Sequence, residues 1–396
     1  MKTKVIDITT FQNFVSNNSF FNFLQSDAYI DYLKISKEKY QVIGVYNNDT
    51  LVAASIVLIK KISFNLKYAF MPKGFITNYN DIELLSEINK SISEFFSSKK
   101  YVFIKISPEI ILNNINYKDK IKNLNLQAKK ICEVFENNNF IIPKYDNFFN
   151  KYNAFINLKE FNINMLDEVT KIRLYNINDD TVIRKATVDE LKYLNLTTSE
   201  EKFYKKYSEK YNDYLDYLVV EINYDIYLKL LNNEFEAETE INNQIINNFK
   251  NNAQDESLLN LKMISDNKLH DLKSEIVNIT KLLSDENNSN KKIIVGSFII
   301  TKYLDKVSIL KINYGFNNLN INGNYYLIYL LIIYYRKQNY SLLDLNGINE
   351  KALYDSLYDY KINFNPIIYE YIPEYDLVLN QKYYEFLEKT KFFKKK

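Results

Sequence analysis

The stretch LHDLKSEIVNITKLL, Leu269 to Leu283, carries apolar residues at 269, 272, 276, 279 and 283. Steps of three and four put all five on one face of a helix, a narrow seam suited to a single partner helix. The partner lies upstream. Leu231, Phe235, Glu238, Asn242, Ile245 and Phe249 fit the same frame with two polar positions, and Asn251 to Asp255, NNAQD, makes a reversal. From Leu231 to Leu283 there is neither proline nor glycine. The spacing predicts two antiparallel helices of about 20–25 residues, an arm about 30–40 Å long at 1.5 Å per residue. Such an arm buries only its inner face, so it suits a partner better than chemistry.

The chain reads differently outside the arm. QVIGVY, NNDT, LVAASIVLIKK and FNLKYAFMPKG, between Gln41 and Gly74, alternate short apolar runs with turns and predict three or four strands. A helix is expected over Ile82–Ser97, a strand at Tyr101–Ile106 ending at Ser107–Pro108, and a helix over Ile121–Asn137. A second unit begins near Ala154 with the strand AFINL. A helix from Met165 to about Asn176, a strand TVIRKA and a helix opening near Thr187 follow. Beyond the arm come GSFIITKYL and KVSILKINYG as strands, a helix over Tyr325–Arg336, and SLLDL as a strand. The expected architecture is α/β (α+β): one unit at 1–153, a second at 154–396, and the arm at 231–288 inserted in the second.

Composition removes several chemistries. At 396 residues, 46 % apolar and 25 % charged, the chain is an ordinary globular protein, and a formal net charge of +2 argues neither for nor against nucleic acid. One Cys and one His cannot make a zinc site of the usual His/Cys kind, nor an internal disulfide. No phosphate-loop, dinucleotide or HExxH motif occurs. MKTKVIDITTF lacks the apolar core of a signal peptide, and the apolar run YYLIYLLIIYY at Tyr325–Tyr335 falls short of the roughly 20 residues a bilayer needs. A cytoplasmic enzyme without cofactor or metal is the expectation, its chemistry resting on carboxylates, Tyr or Lys.

The order of segments is similar to that of the Fem aminoacyltransferases, which build the interpeptide bridges of bacterial peptidoglycan. FLQSDAYIDYLK at Phe23–Lys34 and YQVIGVYNNDTLVAASIVL resemble that family's amino-terminal signature. KYAFMPKGFITNY at Lys67–Tyr79 resembles its strand-to-loop segment. GNYYLIYLLIIYY, then SLLDLNGI with its Asp–x–Asn–Gly run, then YKINFNPIIYEY at Tyr360–Tyr371 match its carboxy-terminal motifs. The resemblance spans nearly the whole chain. It implies two GNAT-like acyltransferase domains with a coiled-coil arm in the second. It also implies transfer of an amino acid, such as glycine, alanine or serine, from aminoacyl-tRNA to the peptide of a lipid-linked peptidoglycan precursor, lipid II.

The resemblance also assigns residues. Lys361 stands at the family's motif lysine and is the expected catalytic residue, a cation offsetting negative charge near the transferred acyl group. Aminolysis of an activated ester can take its rate from alignment and oxyanion stabilisation. Lys34 lies near the place where relatives bind the precursor's phosphates, in an interval two residues longer than theirs. Lys73 and Gly74 sit at a strand exit, with turn and binding roles both open. Arg173, in TKIRLYNI, matches an arginine of the family and has helix packing as its alternative; Tyr325 and Tyr329 either line the cleft or belong to the core. Two departures stand out. The motif's glycine is Asn363 here, and YGFNNLNINGNY lacks an arginine that relatives carry. The basic aromatic tail KTKFFKKK could touch anionic headgroups at the inner membrane face. Two other readings stay open: tRNA-dependent transfer to a protein acceptor, and a non-catalytic module that holds tRNA or a partner. The oligomeric state is not legible.

Overall fold

The computed structural model describes residues 1–390 apart from 17, 19–21, 64, 98–99, 119–120, 146, 176–180, 252–255, 285–290, 315–322 and 355–358. The chain opens with β1 (Lys2–Val5), α1 (Ile8–Val15), α2 (Asp27–Ser36), β2 (Tyr40–Asn47), β3 (Thr50–Lys61), β4 (Lys67–Pro72) and β5 (Ile76–Thr77). It continues through α3 (Ile82–Ser97), β6 (Tyr101–Ser107), β7 (Ile111–Asn116), β8 (Lys122–Leu124), α4 (Leu126–Asn137) and β9 (Phe140–Ile141). Then come β10 (Tyr152–Asn157), α5 (Glu168–Arg173), β11 (Val182–Lys185), α6 (Thr198–Tyr207) and β12 (Leu215–Asn223). The arm is α7 (Tyr224–Asn251) and α8 (Glu256–Leu283). The remainder is β13 (Lys292–Tyr303), β14 (Lys306–Tyr314), α9 (Gly323–Lys337), β15 (Leu342–Gly347), β16 (Ile367–Tyr371), β17 (Tyr375–Val378) and α10 (Gln381–Lys389).

Local chemistry accounts for many of these boundaries. Ser26 caps α2 by accepting the Tyr29 N–H, Asp27 sits in its first turn, and Lys37 ends it in the left-handed region. Asn48, with φ 52°, turns β2 into β3. Three expected boundaries move. The helix expected from Ile121 starts at Leu126, because Asn125 caps the Gln127 and Ala128 N–H groups and residues 122–124 pair with β7 instead. The helix expected from Met165 begins after Asp167, which caps Thr170. The helix expected near Thr187 is a tight 3-10 turn, Val188–Leu194.

The strands form two sheets. The first runs β1-β2-β3-β4-β6-β17-β9, with β5 on β3; the second runs β11-β12-β13-β14-β15-β10-β16-β7-β8. Among the described residues all pairings are antiparallel except β4 with β6 and β14 with β15. Each parallel pair is joined by a crossover through a helix, α3 in the first case and α9 in the second. Antiparallel strands leading to a helix-linked parallel pair are what a GNAT-like unit requires, and the molecule has two. The boundary expected at 153/154 does not divide the sheets, however. β7 and β8 join the second sheet and β17 returns to the first, so each unit covers a strand edge of the other.

The arm leaves the second sheet between the adjacent strands β12 and β13, whose register closes at Asn223 and Lys292. Each arm helix has 28 residues, about 42 Å at 1.5 Å per residue. The expected seam is present in Leu231, Leu272 and Ile279, all buried. Its two polar positions are matched rather than misplaced. Glu238 accepts from Ser265 (2.6 Å) and pairs with Lys268 (2.7 Å), and Asn242 donates to Asp266 (2.8 Å). The reversal at 252–255 lies outside the described residues. No described helix is long and apolar enough to cross a membrane.

Candidate active site

The parallel pair of the second sheet separates early. Pairing joins Lys306 to Leu342, Val307 to Leu343 and Ser308 to Asp344, and runs no further among the described residues. Beyond it lies a cleft of about 600 Å³ lined by Ile309 to Ile312 of β14 and Leu345, Asn346 and Gly347 of β15. Asn150, Ile328 of α9, Asp359, Tyr360 and Lys361 complete its wall. A smaller cavity of about 160 Å³ adjoins it, sharing Asn150, Ile309, Leu310 and Asn346, and gathers residues of both halves: Asn22, Lys73, Glu109, Asn153, Lys306 and Asp344 among them.

Lys361 reaches the cleft from a 3-10 turn, Tyr360–Phe364. Asp359 caps that turn by accepting the Lys361 N–H. The ammonium donates to the Gly347 carbonyl at 2.5 Å and lies 3.9 Å from the Asp359 carboxylate. Burial lowers its pKa, and the fields of Asp359 and Asp344 oppose that shift. Gly347 cannot be another residue without movement, since a Cβ there would lie 2.0 Å from the Asn150 side chain. Asn346 beside it is left-handed, with φ 69°, and donates to the Ile309 carbonyl, bridging the parted strands.

Asp344 starts the same DLNG turn. Its carboxylate accepts the Asn346 N–H (2.8 Å) and both oxygens lie 3.3 Å from the Asn153 amide nitrogen. Burial pushes its carboxyl above the ordinary range, Lys306 pulls back, and Glu109 adds to the push. Glu109 responds oppositely: burial would raise it, yet Lys73, Lys306 and the Asn22 amide hold it lower than usual. Lys306 is raised by these two carboxylates despite its burial. The cavity therefore holds one carboxylate kept ionised and one that retains its proton more readily.

Of the sequence-derived residues, Lys73 lines the cavity and Lys361 the adjoining cleft. Lys73 and Gly74 turn the chain after β4 with φ values of 59° and 136°. The Lys73 ammonium is 3.7 Å from Glu109 and lies over the Phe149 ring at 4.4 Å. The turn role of Gly74 is thus visible in its backbone. Lys34 is not among the residues lining either space; it is exposed and pairs with the buried Asp31 carboxylate at 2.9 Å. Arg173 is buried, its Nε 3.0 Å from Glu234 of the arm and its guanidinium 4.5 Å from the Tyr325 ring centre. Tyr325 is buried and accepts a hydrogen bond from Asn363 (2.6 Å). Tyr329 packs near Phe161 and lines neither space. The helix-packing and core alternatives describe where these three side chains lie.

The departure at Asn363 has a structural answer. The residue with positive φ in this turn is Asn365 (51°), so position 363 makes no demand for glycine. The segment lacking the arginine, 315–322, lies outside the described residues. Sequence reasoning did not single out Glu109, Lys306 or Asn150, and it treated Asp344 only as part of a motif. The readable signal was a carboxylate at the end of a strand: Glu109 two residues past β6 in SPE, and Asp344 in the DLNG run that closes β15. Cys132 packs toward the first sheet's core and His270 is exposed on the arm, so no nucleophile–base pair forms from them.

Comparison with known proteins agrees with this fold. The aminoacyltransferases FemA of Staphylococcus epidermidis strains RP62A and ATCC 12228 are each 19 % identical over 423 residues, with all of both chains covered. A crystal structure of FemX superposes with a TM-score of 0.64 at 15 % identity, covering 98 % of this chain and all of that one. The FemAB family matches residues 6–391. The chain belongs to the FemAB family and is an aminoacyltransferase.

Proposed function

We propose that this enzyme takes an amino acid from aminoacyl-tRNA and joins it to an amine on the peptide of a lipid-linked peptidoglycan precursor, lipid II. The observation that carries the reading is Lys361, a half-buried ammonium anchored to the Gly347 carbonyl at the lip of the cleft between β14 and β15. The acyl ester enters that cleft and the acceptor amine enters the adjoining cavity beside Asp344.

The amine nitrogen attacks the ester carbonyl carbon, forming the C–N bond and placing negative charge on the carbonyl oxygen. Lys361 offsets that charge, an electrostatic role worth about 10²–10³-fold in rate for comparable donors. Collapse breaks the C–O bond to the terminal ribose. The proton leaving the amine passes to Asp344, whose buried carboxylate holds a proton more readily than an exposed one, and ends on the departing ribose hydroxyl. Lys73 and Lys306 supply positive charge for the acceptor's anionic groups. Contact with the inner membrane face would follow from the lipid tail of the acceptor and needs no spanning helix.

The test is radiolabel transfer from a pool of charged tRNAs to purified lipid II. Label on lipid II that Lys361→Ala fails to deliver supports the reading, and the labelled amino acid names the donor. Absence of transfer from every charged tRNA by folded enzyme overturns it.

A further inference from the structure

Arg173 and Tyr325 stand away from both the cleft and the cavity, yet they connect the arm to Lys361. Glu234, buried on α7, holds the Arg173 Nε at 3.0 Å with one oxygen and Lys268 of α8 at 2.7 Å with the other. Its neighbour Asn233 donates to the Arg173 and Tyr175 carbonyls, so α5 is fixed to the arm root by backbone as well as side chain. The Arg173 guanidinium faces the Tyr325 ring at 4.5 Å, a cation–π distance in a buried setting. Tyr325 in turn accepts from Asn363 and stacks on Phe364, with ring centres 5.9 Å apart. Asn363 and Phe364 belong to the turn that carries Lys361.

We propose that Arg173, Tyr325 and Asn363 form a positioning relay through which the root of the helical arm sets the turn that presents Lys361. Every link is a directional contact between buried or half-buried groups. A shift of Glu234 therefore moves the guanidinium, the ring and the turn together, because packed interiors transmit displacement. A ligand that tilts the arm would in this way adjust the ammonium at the cleft. The relay's effect on rate rests on the reading of Lys361 as the charge serving transfer.

The experiment uses the full chain with Tyr325→Phe, which keeps the ring and deletes the hydroxyl, and Glu234→Gln, which weakens the clasp at the arm. Amide hydrogen exchange over residues 360–365 is measured in both. The Lys361, Ile362 and Asn365 amides are bonded within this turn, so they report its order. Transfer kinetics are measured in parallel. The relay predicts faster exchange in this segment for both variants. It also predicts a kcat lower by about tenfold in Tyr325→Phe with KM for the charged tRNA unchanged, the loss of one net hydrogen bond. In a Lys361→Ala background the Tyr325 change should add nothing to the rate. Unaltered exchange in either variant, or a full added loss in that background, overturns the relay. Full activity of Lys361→Ala would instead overturn the catalytic reading and leave the exchange result to decide the relay alone.

Discussion

Between Lys67 and Pro72, β4 keeps its pairing with β6 from Tyr101 through Ser107, interrupted by a single register shift, whereas β14 leaves β15 after three residue pairs. The two sheets use the same strand–helix–strand crossover, yet the cleft lies beside the second pair. The first sheet even fills its own parting. Where β3 and β4 diverge beyond Leu58 and Phe70, the fully buried Gln25 amide donates to the Pro72 carbonyl and accepts the Ile56 N–H, standing in for a missing strand. In the second sheet the Asn346 side chain crosses the gap, 3.3 Å from the Ile309 carbonyl. On the reading proposed above, the sheet with open backbone beside a substrate-sized space serves transfer, and the sheet whose backbone is closed by an amide is the structural one.

A lysine stands by each sheet, buried Lys105 in β6 and half-buried Lys361 in the turn before β16, and the pair breaks the comparison most directly. Lys105 of β6 has no exposed side-chain surface and sits 3.0 Å from Asp376 and 3.2 Å from Glu374, beneath the Tyr145 and Phe148 rings. Removing it strands two carboxylates in the core. Lys105→Ala should lower the unfolding free energy by about 3–5 kcal/mol, read from urea titrations, while the rate per folded molecule stays near wild type. Lys361 has the opposite profile. Its firmest partner is a neutral carbonyl, so Lys361→Ala should cost transfer about 10²–10³-fold and leave the urea midpoint nearly unmoved. A Lys361→Ala protein that unfolds early but turns over normally would reverse the assignment of the two sheets.

Glycines sharpen the same contrast at smaller amplitude. A Cβ on Gly347 would lie 2.0 Å from the Asn150 side chain, and relief would displace the carbonyl that anchors Lys361. On Gly44 of the first sheet a Cβ would meet the Leu51 Cδ1 at 2.7 Å, the far end of a flexible side chain. Gly347→Ala should therefore cost about 1–3 kcal/mol of stability and lower kcat as well, whereas Gly44→Ala costs less and leaves kcat alone. Denaturation and steady-state kinetics on both variants would check this.

The sequence made the periodic parts visible and hid what depends on convergence. Helix α3 was readable residue for residue because Leu85, Ile88, Ile92 and Phe96 repeat on one face. The long helices α7 and α8 were readable as helices from apolar steps of three and four, though each runs to 28 residues where about 20–25 were expected. The passage of β7 and β8 into the second sheet was not, because a strand's sequence does not say which edge it will meet. The site follows the same rule. The Lys73–Gly74 turn was readable as a strand exit, and Lys361 was singled out by the resemblance alone, without its 3-10 turn being foreseen. Asp344, Glu109 and Lys306 acquire meaning only when burial and three separate strand ends bring them together. Lys34 and Arg173 were basic residues in suggestive positions, and their charges are engaged by Asp31 and Glu234.

Lys34 leads to the smallest effect, at the closed seam between the units. Asp31 of α2 accepts from Lys34 (2.9 Å), from Lys210 (3.0 Å) and from the Tyr211 hydroxyl (2.7 Å), the last two lying just before β12. Burial opposes its ionisation, but the Tyr211, Lys34 and Lys210 hydrogen bonds prevail and bring its pKa down to about 2. A carboxylate depressed in the folded state stabilises above its unfolded value of 3.8, and that contribution is lost as pH falls toward about 2. Because both lysines are about half exposed, the contribution is screened to about 1 kcal/mol. The stability gap between wild type and Asp31→Asn should therefore be widest near neutral pH and shrink by about 1 kcal/mol as pH falls from about 5 to about 2. Transfer activity at neutral pH should remain close to wild type in the variant, since neither Asp31 nor Lys34 lines the cleft or the cavity. A large loss in KM for the acceptor with Lys34→Ala would instead return that lysine to the phosphate-binding role its position in the sequence suggested.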